Sequence, residues 1–153
     1  MPAAAPPAVI VHSLAQAMAA AAAAAALGSA LVLRSAEGAG ATLGAGYFAS
    51  IGAILAERWP ALKLTLVLDC ADEAGTALGA FRRGLKIVRF TGLPEARSKL
   101  EAVAAAQGGA LDRDERPALD LSGVAEPELA CRRWLEDHLA GMTHDIASAR
   151  PVG

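Results

Sequence analysis

Four residues able to do chemistry stand directly behind short apolar runs. His12 closes Ala8-Val-Ile-Val11, and Asp69, Cys70 and Asp72 follow Leu64-Thr-Leu-Val-Leu68. A thiol becomes a nucleophile as its thiolate, so Cys70 needs a base or a positive field to lower its pKa. His12 is the candidate base, and with Asp69 beside Cys70 the set suits aldolase-like or hydrolase-like chemistry. Each residue also has a plainer role. A cysteine at a strand end packs as a small hydrophobe, and a histidine there is commonly hydrogen-bonded in place. Ser13 with Gln16 three residues later forms a helix capping box, and Asp72 suits a helix N-cap. Asp69 and Asp72 lack a third ligand at a recognisable spacing, so no metal site is expected.

The second chemical feature is the stretch Ser35 to Gly46. Gly40, Gly44 and Gly46 carry a G-x-x-x-G-x-G spacing between an apolar run and a helix, and Asp69 comes 23 residues after Gly46. Glycines let backbone approach a phosphate closely, and a helix start offers N–H groups to it. In these residues the stretch resembles the cofactor loop of short-chain dehydrogenases. That resemblance implies a dinucleotide phosphate on the glycines and Asp69 on a ribose. The first glycine comes later after the strand than in that family, and no Tyr-x-x-x-Lys pair accompanies Tyr47. No cofactor is therefore assigned. A small anionic ligand is expected at Ser35, Gly38, Gly40, Gly44, Gly46, Asp72, Thr91 and Gly92.

These residues share a site only if the elements bring them together. Apolar runs at Ala8–His12, Ala30–Arg34, Lys63–Asp69 and Leu85–Thr91, with a short one at Ala110–Leu111, read as strands buried on both faces. Helical stretches alternate with them: Leu14–Leu27, closed by Gly28; Tyr47–Arg58, stopped at Trp59-Pro60; Glu73–Arg83; and one entering at Pro94 and ending near Gln107. From Pro127 an amphipathic helix lines up Cys131, Trp134, Leu135, His138, Leu139 and Met142. Such alternation predicts an α/β fold, a three-layer α/β/α sandwich with a four- or five-stranded mainly parallel sheet. Every loop that follows a strand then opens at one edge, the carboxyl rim where such sheets bind ligands. The stretch 112–123 is charged and irregular, an edge strand or a solvated loop. Residues 1–7 read as a disordered leader, 8–142 as a single domain and 143–153 as a flexible tail.

Composition narrows the partners. The chain has 153 residues, 14 Lys and Arg against 16 Asp and Glu, and a net charge of −2. That balance does not suit nucleic acid or an anionic membrane surface. Only Arg34, Glu37, Glu57 and Arg58 are charged in the first 62 residues. So charge-poor a surface predicts burial in the core or against a second copy, and a homo-oligomer is expected. The alanine-rich stretch from Leu14 is too short to span a bilayer and lacks the basic flank of a signal peptide, and the two cysteines make no disulfide framework. A cytoplasmic protein is expected. Arg82, Arg83, Lys86 and Arg89 form the densest basic cluster, read as a solvated face first and an anion site second.

The motif Leu68-Asp-Cys-Ala-Asp72 and the strand Gly84-Leu-Lys-x-x-Arg-Phe90 are similar to those of short, Ala-rich bacterial α/β proteins of unknown function, over roughly residues 8–110. That resemblance implies the fold and brings no activity with it.

Overall fold

A computed structural model describes residues 4–148. Strand and helix alternate in the order β1 (Val9–Val11), α1 (Leu14–Leu27), β2 (Leu31–Ser35), α2 (Ala39–Thr42), α3 (Ala45–Arg58), β3 (Leu64–Asp69), α4 (Ala74–Arg82), β4 (Ile87–Arg89), α5 (Pro94–Ala106), β5 (Ala110–Leu111), β6 (Leu119–Asp120) and α6 (Pro127–Ser148). The fold is an α/β sandwich on an all-parallel sheet in the order β5-β4-β3-β2-β1-β6. The sheet has six strands where four or five were expected. The sixth comes from the charged stretch, where only Leu119 and Asp120 pair, against Val9 and Ile10.

The local signals explain how α1 starts and stops. Ser13 Oγ accepts from the Gln16 N–H at 3.1 Å, and Gln16 Oε1 accepts from the His12 N–H at 2.8 Å. Gly28 ends the helix with φ +63°, a left-handed conformation that glycine adopts without steric cost. Ala17, Ala20, Ala21, Ala23 and Ala24 are all buried, because α6 lies along α1 on one side and the sheet on the other. Leu121, Cys131 and Leu135 are fully buried in the same core. Alanine's small side chain lets α1 approach α6 and the sheet closely, which accounts within one chain for much of the charge-poor N-terminal half.

Strand order explains an unusual connection. β5 and β6 lie on opposite edges, five spacings or roughly 24 Å apart, so residues 112–118 must run nearly extended across the sheet. Arg89 holds this strap, donating to Asp112 Oδ2 at 3.0 Å and to the Asp114 carbonyl at 2.9 Å. At the far side Arg116 donates to the Ala5 carbonyl at 2.8 Å. Ala4–Pro7 is thus tied down, with Pro6 buried, while Met1–Ala3 lie outside the described residues. The final helix runs six residues past the expected domain end at Met142, and 149–153 lie outside the described residues.

Candidate functional site

The carboxyl rim carries two separate polar arrangements. On β3, Asp69 is buried; its Oδ1 accepts from the Ala71 N–H at 2.9 Å and the Gly38 N–H at 3.2 Å, and Arg89 Nε lies 4.0 Å from its Oδ2. The Asp69 N–H donates to Ser35 Oγ at 2.9 Å. Ala71 is left-handed (φ +49°), a strained state for a residue with a Cβ, and it is held there because its carbonyl takes the Thr91 N–H at 2.8 Å. Asp69, Ser35 and Gly38 are therefore occupied in knitting the ends of β2, β3 and β4 together. Asp69 Oδ1 is bound by backbone, and its Oδ2 faces Arg89.

The second arrangement lies where β6 flanks β1, the point at which strand order reverses. His12 Nε2 and Asp120 Oδ1 are 2.6 Å apart, and Gln16 Nε2 donates to the Leu121 carbonyl at 3.0 Å. The Ser122 N–H and then the His12 ring hold the Asp120 carboxyl below its ordinary range. His12 thus serves Asp120. Cys70 is fully buried, and burial followed by the Asp69 charge pushes its thiol up to about 11. Residues 10, 67 and 69 share one face of the pleated sheet and Cys70 projects from the opposite one, towards Gly40 and Thr76. His12, Asp69 and Cys70 are not brought together as a nucleophilic set.

The remaining expected positions divide. Asp72 is exposed and caps nothing: Glu73 stands at the N-cap of α4, without a side-chain hydrogen bond. A Cβ on Gly92 would lie 2.4 Å from the Phe90 ring, so that glycine serves packing. Gly40, Gly44 and Gly46 line a groove of about 440 Å³ between the start of α3 and the α4 stripe Thr76, Gly79, Ala80 and Arg83. Gly40 sits at its inner end, where a Cβ would meet Cys70 Sγ at 2.8 Å and Thr76 Cγ2 at 3.0 Å. Gly44, with φ +84° and ψ 154°, occupies backbone space open to glycine almost alone.

The groove's electrostatics have one sign. α3 is 14 residues long and has no side-chain cap, and no hydrogen bond among the described residues uses the Ala45, Gly46 or Tyr47 N–H groups. Free N–H groups and the aligned peptide dipoles give such an end roughly half a positive charge. Arg83 Nη1 lies 3.3 Å from where a Gly46 Cβ would stand, which places the guanidinium over that helix end. Arg83 makes no ion pair among the described residues, and no carboxylate lines the groove. Sequence spacing could not reveal this pairing, because Arg83 is 37 positions from Gly46 and reads locally as a helix-end cation.

The chain matches no protein-family model and no curated protein at a significant level.

Proposed function

We propose that this protein binds a small anionic ligand, a phosphate ester or a carboxylate, at the glycine-lined groove beside the carboxyl edge of the sheet. The observation that carries this reading is the Arg83 guanidinium set over the uncapped start of α3, with no acid in the groove to neutralise it. The three N–H groups bind oxyanions by direction, Arg83 adds a charge-assisted bond, and the absence of side chains at Gly44 and Gly46 lets the anion reach the backbone. The Thr76 and Tyr47 side chains supply hydroxyls at the walls. The groove holds no base beside a nucleophile, which favours recognition over the Cys70-dependent chemistry.

A thermal-shift panel of sugar phosphates, nucleotides and small carboxylates tests this. A ligand at 100 times its dissociation constant stabilises by about 2.7 kcal/mol. Arg83→Glu, an exposed substitution, should leave the unliganded melting temperature nearly unchanged and weaken any hit by at least ~10-fold, about 1.4 kcal/mol. Hits that survive Arg83→Glu undiminished would reject the groove.

A second reading is self-association through α3. Tyr47 and Ile54, seven residues and two turns apart, are 45% and 42% exposed. Sedimentation of wild type against Ile54→Asp distinguishes a dimer built on this stripe from a monomer.

A further inference from the structure

A cleft larger than the glycine-lined groove lies at the amino end of the sheet. Both α1 and α6 start at the carboxyl rim and run down the same layer, but α6 has 22 residues and α1 has 14. Between the two helices, the α3–β3 turn and Ala4–Pro6 lies a cleft of about 750 Å³. That is within the ~300–1,000 Å³ of ordinary small-molecule sites.

Its walls are apolar: alanines of α1 on one side, Trp59 and Leu62 on another, Leu139 and Met142 on the third. Among the described residues its charged and titratable lining is Arg58, Lys63 and His138, with no carboxylate. None of the three has an ion-pair partner among the described residues. Arg58 stacks on the Trp59 ring at 5.6 Å, and His138 Nε2 is buried without a hydrogen-bond partner among the described residues. A buried nitrogen left unpaired is costly unless something fills the space before it. An apolar cleft that carries three bases is complementary to one kind of molecule, an alkyl chain ending in a negative charge. A neutral apolar ligand would leave the three bases unused, and a hydrophilic anion would leave the walls unused.

We propose that this cleft binds a single-chain amphiphile of the long-chain carboxylate class, the alkyl chain against the α1 alanines, Trp59 and Met142, and the carboxylate towards Arg58, Lys63 and His138. Each methylene withdrawn from water favours the complex, so affinity should climb with chain length until the cleft is full.

Calorimetric titration of the full chain with dodecanoate, octanoate and dodecyltrimethylammonium, below their aggregation concentrations, tests it. The proposal expects one dodecanoate per chain, bound at least ten-fold more tightly than octanoate or the cationic analogue. Ala25→Phe fills the cleft from an exposed helical position and should abolish binding. Lys63→Glu, a surface change, should weaken dodecanoate at least ten-fold with an unchanged circular dichroism spectrum. Arg83→Glu, which removes the cation of the carboxyl-rim groove, should leave the preference for dodecanoate over octanoate unchanged. Absence of dodecanoate binding, equal affinity for the two head charges, or indifference to both Ala25→Phe and Lys63→Glu would overturn the proposal.

Discussion

Cys70 and Cys131 both have zero exposure, and burial, with Asp69 beside one and Glu128 beside the other, raises each thiol to about 11. Neither therefore carries appreciable thiolate at neutral pH, and neither is open to attack. Native protein treated with a disulfide reagent at pH 8 should show no rapidly reacting thiol, and urea should release two equivalents. One fast thiol in the native state would return Cys70 to the list of nucleophiles. At this scale the sequence was a partial guide. The Ser13/Gln16 box was legible because both partners lie within one helical turn. The pairing of His12 with Asp120, 108 positions away, was not, because it depends on where β6 docks. Asp69 was expected as a catalytic residue of the rim, and chain composition could not tell that backbone N–H groups would occupy its Oδ1.

Among the elements, the longest apolar runs declared themselves and the shortest did not. β3, five residues of Leu, Thr and Val closed by Asp69, is legible from its run length, whereas β6 pairs through two residues along the edge of β1. Close approach between elements makes two tests. A Cβ on Gly109 would lie 2.1 Å from the Lys86 carbonyl oxygen, a backbone atom that cannot swing aside, so Gly109→Ala should separate β5 from β4. Ala20→Leu forces a large side chain between α1 and the layers packed on it. Each substitution should destabilise by ~1–3 kcal/mol, the usual range for overpacking, measured by urea unfolding. A neutral Ala20→Leu would mean that α6 does not sit tightly on α1.

For the molecule as a whole, the strap of residues 112–118 couples the two edges of the sheet, and its charges make that coupling pH-dependent. The Arg116 side chain is the main reason the Asp114 carboxyl is held down to about 2, with a smaller contribution from Arg34. A carboxylate depressed in the fold adds stability that is complete above its unfolded value near ~4 and disappears as pH falls towards about 2. Wild type should therefore exceed Asp114→Asn in melting temperature at pH 6, and the two curves should converge near pH 2. The margin should be under ~1 kcal/mol, since Arg116 is a near neighbour in sequence and the pair is partly hydrated. No helix among the described residues is long and apolar enough to cross a membrane.

The central claim is that an anion sits on the start of α3 under Arg83. Amide spectra of isotopically labelled protein titrated with inorganic phosphate and with a sugar phosphate test it at the atoms concerned. The account predicts saturable shifts concentrated at Ala45, Gly46 and Tyr47 and lost in Arg83→Glu. Shifts confined to other residues, or none at millimolar ligand, would contradict it.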